Sequence, residues 1–436
     1  MREYLLVLFC TAAVTYLLTG PVRKFAILAG AMPPVRARDV HREPTPRLGG
    51  IAMFGGLCAG LLVASQLTNL SKVFTDDPSD IRALLSGVGI MWVLGVLDDK
   101  WGVDALVKLG GQMIAAGVMV YQGITVISIP VPGVGPVALT PTQGMVISVT
   151  LVVVMVNAVN FIDGLDGLAG GMVCIAAMAF FLYSYRLWYG YGISEAAPAV
   201  LFSAVLIGMC LGFLPHNLHP ARIFMGDSGS MMLGLMLAVS AISVTGRVDP
   251  DLITAQTGGS QTATTHILVP IYIPLLLPLT VIALPLADLL LAVVRRTWAG
   301  RSPFAADKQH LHHRLLEVGH SHSRAVLIMY FWAALFAFGT VAFSVTHTGR
   351  TFVLACAGLC LIGIVVLLMP RFRPKTPTAA EPFVPPRYRR LTGRSAGQAV
   401  PAVRAEEAPV ELSMADQELL GRLGSGATAA GEPRNH

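Results

Sequence analysis

The sequence predicts an all-α, polytopic membrane protein of about eleven transmembrane helices, with its N-terminus outside and its C-terminus in the cytoplasm. Three observations carry that expectation. Of the 436 residues, 54% are hydrophobic and only 13% charged, a balance outside the range of soluble domains. Apolar runs of roughly 17 to 22 residues recur, each long enough to cross a ~30 Å hydrocarbon core at about 1.5 Å per residue. Lysine and arginine, finally, crowd into alternate loops.

In order, the expected spans are residues 3–20, 49–67, 81–97, 105–122, 143–160, 168–187, 196–214, 228–245, 267–294, 324–345 and 351–369. The first follows a single Arg2, lacks a small-residue cleavage site and has Phe9 before Cys10, so it is expected to remain as an uncleaved span. Placing the 21–48 loop inside puts Arg23, Lys24, Arg36, Arg38, Arg42 and Arg47 in the cytoplasm, together with Lys100, Lys108, Arg222 and the basic residues of 295–324 and of the tail. Of the 31 lysines and arginines, only Arg2, Lys72, Arg82, Arg186, Arg247 and Arg350 then face outside. The outer segment SIPVPGVGPVAL, residues 128–139, reads as a short hairpin, and 246–266 as a polar loop.

Residues 1–370 form one membrane domain, and 371–436 a basic cytoplasmic tail too poor in apolar residues to fold alone. The six cysteines all fall in apolar runs without metal-ligand spacing and read as small buried hydrophobes. The net charge of +6 follows from the topology and the tail, so it implies anionic lipid headgroups as partners and gives no argument for nucleic acid. A homo-oligomer is compatible with such a chain.

The inner loops, by contrast, carry compact polar motifs. HREPTPRLGG (41–50) holds an extended backbone through Pro44 and Pro46 and offers Arg42 and Arg47. Alone, it serves equally as a juxtamembrane anchor or a substrate contact. GVLDDKWG places Asp98 and Asp99 at the inner end of the third span, where each acid costs up to ~3 kcal/mol to hold and so implies a cation or proton partner. In NAVNFIDGLDGLAGG, Asn160, Asp163 and Asp166 follow i, i+3, i+6, which on a helix would put neighbouring pairs on one face. In FLPHNLHPARIFMGDSGSMMLG, Asp227 stands at a helix start, where a carboxylate either caps the helix or holds a metal facing a phosphate. DKQHLHHRLLEVGHSH sets His310, His312 and His313 among Arg301, Lys308 and Arg314. Zinc is one reading of that cluster. The flanking cations and the absence of cysteine favour a grip on phosphate instead. Hard oxygen donors suited to Mg²⁺, opposed by cations suited to phosphate, favour attack of one phosphate on another, with a lipid as one reactant.

PTPRLGG, LDDKWG, NAVNFIDGLDGLAGG, HNLHPARIFMGDSGS and DKQHLHHRL, in this order, resemble the polyprenyl-phosphate N-acetylhexosamine-1-phosphate transferase family over residues 1 to about 345. The resemblance implies transfer from a UDP-N-acetylhexosamine to a polyprenyl phosphate with Mg²⁺, Mn²⁺ being a substitute, at the cytoplasmic face of a bacterial plasma membrane. HLHH and TPRLGG resemble the UDP-N-acetylglucosamine branch rather than the muramoyl-pentapeptide branch, which typically has three contiguous histidines and TPTMGG. Carried over by motif, Asp227 and Asn160 would be metal ligands with Asp163 close by. Asp98 would act as base or phosphate-positioning acid beside Asp99. Asp166 would face uracil, Asn217 and Phe224 would lie near the nucleoside, and Arg42, His310, His312 and His313 would hold phosphates. A transporter, the rival class, would pair acids near the midplane, and only Asp288 lies so deep. Beside Pro285 it reads as structural support.

Overall fold

The computed structural model describes residues 1–32, 44–76, 78–131, 135–190, 192–245, 297 and 322–345. The expected spans 267–294 and 351–369, the tail 371–436, Asp288, Arg42 and the histidines 310, 312 and 313 lie outside the described residues.

The described residues form ten α-helices and one hairpin, in order α1 Arg2–Leu28, α2 Gly49–Gln66, α3 Lys72–Thr75, α4 Ser79–Trp101, α5 Ala105–Tyr121, β1 Ser128–Val131, β2 Gly135–Ala138, α6 Pro141–Ile162, α7 Leu168–Tyr185, α8 Ala197–Asn217, α9 Gly226–Thr245 and α10 His322–Val345. A π-helical turn, Arg186–Gly190, and a 3₁₀ turn, Ser194–Ala196, join α7 to α8. Among the described residues, eight helices are long and apolar enough to cross a membrane, and Ala105–Tyr121 is a shorter apolar helix. The chain is thus a multi-pass helical membrane protein. Each expected span within the described residues has its helix, and β1 pairs with β2 antiparallel, Ser128 opposite Ala138, at the expected hairpin.

Local sequence sets the boundaries. Thr140 and Gln143 form a capping box with Pro141 in the first turn, a start signal for α6. Asp104 caps α5 by accepting from Leu106 N at 2.9 Å. α1 outruns its expected span, continuing through Pro21 to carry Arg23 and Lys24, and Arg23 Nε donates to the Arg222 carbonyl at 2.9 Å. α4 likewise continues past 97, so Asp98 and Asp99 lie in its last turn before Gly102.

α9 is the hub. Beyond its polar first turn it carries apolar residues on every side, as a buried helix does, and it packs against α2, α4, α6 and α8. α1 lies against α2 and α8 along small residues four apart. Gly56 and Gly60 of α2 leave room for Thr15 and Thr11, and Gly208 and Gly212 of α8 admit the α1 backbone at Leu8 and Ala12. Cys174 and Cys210 are buried as expected, whereas Cys58 is exposed. At one end of the bundle Tyr4, Phe181, Tyr185, Trp188 and Tyr189 pack ring to ring, as residues of an interfacial belt do. The opposite end gathers the termini of α4, α6 and α8, the starts of α5 and α9, and the basic residues Arg23, Lys24, Arg47 and Arg222.

Candidate active site

The start of α9 organises this end. Asp227 does not cap its own helix. The cap is Asp99, whose Oδ1 accepts from Asp227 N at 2.8 Å, while its Oδ2 accepts from Ser228 N at 3.1 Å and Ser228 Oγ at 2.7 Å. The Asp227 carboxylate is therefore available to neighbours on α5 and α6. Its Oδ1 accepts from Asn160 Nδ2 at 2.9 Å, and its Oδ2 meets the ammonium of Lys108. The same ammonium donates to Asp98 Oδ2 at 2.9 Å, and Asp98 Oδ1 accepts from Val103 N at 2.6 Å. Asn160 Nδ2 also lies 2.9 Å from Ser230 Oγ. One turn deeper, Gln112 and Asn157 face each other as a pair of side-chain amides, with Asn157 Nδ2 donating to Gln112 Oε1 at 2.6 Å. That pair ties α5 to α6 beneath Lys108 and Asn160.

Asn160, Asp163 and Asp166 do not share a helix. α6 ends at Ile162, Asp163 takes φ −73° and ψ 44° as its C-cap, and Gly167 at φ 76° turns the chain into α7. The DGLDG glycines break the helix, which separates the three polar residues into two groups. Asp163 stays near the α9 acids. Burial pushes its carboxyl well above the ordinary carboxylate range, with the charges of Asp227 and Asp99 adding to the rise and Arg47 opposing it.

Asp166 and Asn217 form the second group, both buried. Asp166 Oδ2 lies 2.8 Å from His219 Nδ1 and accepts from Ala221 N at 3.1 Å. Asn217 Oδ1 accepts from Gly167 N and its Nδ2 donates to the Ile223 carbonyl, both at 3.1 Å. These contacts bind the DGLDG turn to the segment leading into α9. The PTPRLGG segment is threaded beside that segment, for Phe224 N donates to Pro46 O at 2.9 Å, Gly49 N to Phe224 O at 3.0 Å and Gly50 N to Met225 O at 2.9 Å. α10 closes over the turn through Tyr330 Oη, which donates to the Gly167 carbonyl.

Of the residues expected to act, Asp98, Asp99, Asn160, Asp163 and Asp227 thus converge, and beside them lie Asp166 and Phe224 on loops and Asn217 at the end of α8. Lys108 and His219 join the site without being among the residues expected there. A signal for Lys108 exists, since a lysine in the first turn of a helix opposes the dipole and calls for an acidic partner. His219 in HNLHP carries no such signal.

Among the described residues, two groups bring candidate metal ligands together. Asp227, Asn160, Asp98 and Asp163 supply hard oxygens of the kind Mg²⁺ prefers, and Lys108 already bridges two of the acids with positive charge. The donor set fits that ion. Asp166, His219 and His322 also approach one another within 4.8 Å. Their two imidazoles, however, are stacked at 4.3 Å and 15°, so the in-plane lone pairs do not converge on one point. That group reads as an Asp–His pair under a stacked ring.

Acids from several segments gather at one helix start of a helical membrane bundle, and residues 81–245 match glycosyl transferase family 4. The chain belongs to that family, in its polyprenyl-phosphate N-acetylglucosamine-1-phosphate transferase group. It is 44% identical to the decaprenyl-phosphate N-acetylglucosaminephosphotransferase of Mycobacterium tuberculosis, over 86% of this chain and 90% of that one. Identity to a probable undecaprenyl-phosphate N-acetylglucosaminyl 1-phosphate transferase of Bacillus subtilis is 31%, over 77% and 84% of the two chains. The phospho-N-acetylmuramoyl-pentapeptide-transferase of Desulforudis audaxviator aligns at 29% over 47% of this chain and 64% of that protein.

Proposed function

We propose that the protein transfers N-acetylglucosamine-1-phosphate from UDP-N-acetylglucosamine to a polyprenyl phosphate, giving polyprenyl-diphospho-N-acetylglucosamine and UMP. The observation that carries this reading is the meeting of Asp98, Asp99, Asp163, Asp227, Asn160 and Lys108 at one helix start, a charged centre at the end of an apolar bundle. The relatives' names support the sugar and the lipid acceptor.

In this reading an oxygen of the lipid phosphate attacks the phosphorus that bears the sugar. The bond from that phosphorus to the oxygen bridging to UMP breaks, and UMP leaves with the bridging oxygen. Asp98, held by Val103 N and Lys108, serves as base or as the acid that positions the lipid phosphate. The Lys108 ammonium shifts from the acids toward the diphosphate as substrate enters. Asp227 and Asn160, with Asp163 beside them, would hold Mg²⁺, or Mn²⁺ in its place. Bound there, the ion would draw charge from the diphosphate. Direct attack is preferred to an aspartyl intermediate because a phosphate is already nucleophilic at neutral pH. Arg42, His310, His312 and His313 remain assigned to phosphate, and Asp166, Asn217 and Phe224 to the nucleoside side.

Eleven spans, an outer N-terminus and a cytoplasmic active site complete the proposal, on the distribution of Lys and Arg. Purified protein with a polyprenyl phosphate and UDP-N-acetylglucosamine should release UMP and form the lipid-linked sugar when Mg²⁺ is added. Release from UDP-N-acetylmuramoyl-pentapeptide alone would move the chain to the other branch, and release from neither sugar nucleotide would refute the proposal.

A further inference from the structure

We infer that Asp99 is a positioning residue, which clamps the first turn of α9 from a neighbouring helix and thereby sets where the Asp227 carboxylate stands. The inference rests on the reading of Asp227 as a metal ligand. Asp99 is buried at 9% exposure, and its two oxygens already accept from three donors, Asp227 N, Ser228 N and Ser228 Oγ. A carboxylate has about four lone-pair sites, so little capacity is left for an ion or a substrate proton. Two of the donors are backbone N–H groups that a helix start leaves unpaired, and a negative charge there is favoured by the helix dipole. An ordinary cap lies just before its own helix. This one comes from α4, 128 residues earlier, so it fixes one helix against another as well as closing the turn.

The surroundings leave the turn little slack. Gly226 adopts φ 69°, and a Cβ there would run into the Asp99 carboxylate. One turn before Asp99, a Cβ on Gly95 would overlap the Ser228 backbone, and one on Gly50 of α2 would overlap Ser228 and Gly229. The backbone at 227–229 is therefore seated against two helices and held by a third contact, the Asp99 carboxylate. The Asp227 side chain leaves this seat toward Asn160 and Lys108. The adjacent acids of LDDKWG divide the work: Asp98 faces the ammonium, and Asp99 faces the backbone.

Asp99→Asn keeps the shape of the side chain but turns one acceptor into a donor aimed at a backbone N–H. Ser228→Ala removes one of the three donors and leaves every acid in place. Full-length purified variants would be titrated with Mn²⁺ in the absence of substrate, reading free Mn²⁺ by electron paramagnetic resonance, and UMP release would be followed at rising Mg²⁺. The clamp predicts a loss in Mn²⁺ affinity of about tenfold or more for Asp99→Asn, the usual effect of disturbing a group that orients a ligand. It predicts a smaller loss, about threefold, for Ser228→Ala. Adding Ser228→Ala to Asp99→Asn should cost little more, because both remove the same contact. Much of the Asp99→Asn activity should return at high Mg²⁺. Wild-type Mn²⁺ affinity in both variants would overturn the inference, as would an Asp99→Asn protein inactive at every Mg²⁺ level with unchanged Mn²⁺ binding. If Asp99→Asn does not fold, Ser228→Ala decides by the same measure. A wild-type protein that binds no Mn²⁺ would refute the ligand reading and the clamp together. One that binds Mn²⁺ without releasing UMP would refute the proposed reaction alone.

Discussion

Asn160 Nδ2 donates to Asp227 Oδ1 at 2.9 Å across 67 residues of sequence. The bond joins the last turn of α6 to the first turn of α9, and Lys108 of α5 closes the same carboxylate from the other side. Three helices thus meet on one side chain. Asp227→Asn keeps its volume and loses its charge, so the variant should fold and lose on the order of 10²- to 10³-fold in kcat, the scale on which preorganised charge acts. UMP release by variant protein of unchanged size-exclusion profile checks this, and near-normal turnover at limiting Mg²⁺ would refute the assignment.

Lys108 separates two acids that would otherwise repel. Lys108→Met removes the bridging charge while leaving a side chain of similar length. Without divalent ion its melting temperature should fall below that of the native protein. Millimolar Mg²⁺ should restore more stability to the variant than to the parent, because the ion then supplies the positive charge that Lys108 no longer places between Asp98 and Asp227. Turnover should stay low even when stability returns. A differential scanning experiment with and without Mg²⁺ reads the first effect, and an equal Mg²⁺ response in the two proteins would count against the bridge.

Most of the bundle could be anticipated because length and polarity of an apolar run decide whether it crosses a bilayer, and every such run within the described residues became a helix near its expected bounds. The acids were also identifiable as a set, since unneutralised carboxylates beside hydrocarbon need a reason. What periodicity could not supply was their partition. Asp98 and Asp99 are neighbours in sequence and look equivalent, yet one accepts from an ammonium and the other from the start of α9. The i, i+3, i+6 spacing of Asn160, Asp163 and Asp166 suggests one helix face, whereas α6 ends at Ile162 and Gly167 turns the chain into α7. Contacts between segments far apart in sequence, such as Phe224 with Pro46 and Gly49, leave no trace in either segment alone.

Orientation rests on the basic loops and is open to direct labelling. Single cysteines placed at Ser71, Gln261 and Thr348 should react with membrane-impermeant thiol reagents from outside intact cells. Cysteines at Asp39, Gly319 and Thr392 should react only after permeabilisation. Labelling at Gly319 from outside would reverse the loop that carries the histidines and remove it from the proposed cytoplasmic site.

Asp163 sets activity against stability. Its carboxyl is half-buried, and burial, then the charges of Asp227 and Asp99, hold its pKa well above the ordinary 3.8. The sign of the linkage follows. A folded-state pKa above the unfolded value contributes stability that is fully present below about 3.8 and is lost as pH rises through the folded pKa. At neutral pH and without divalent ion, holding this acid in the fold therefore costs stability. Asp163→Asn removes that charge and keeps the shape, so the metal-free variant should melt higher than the parent at pH 7 to 8. The gain should shrink as pH is lowered toward 4, where the native side chain is itself protonated. Activity should be lost throughout, since an amide supplies neither the charge nor the ligand strength of a carboxylate beside a divalent ion. Melting curves of both proteins in chelator across that pH range, set beside UMP release with Mg²⁺, make the comparison. A variant less stable than its parent at neutral pH would show that Asp163 supports the fold, and would place the repulsion among the acids elsewhere.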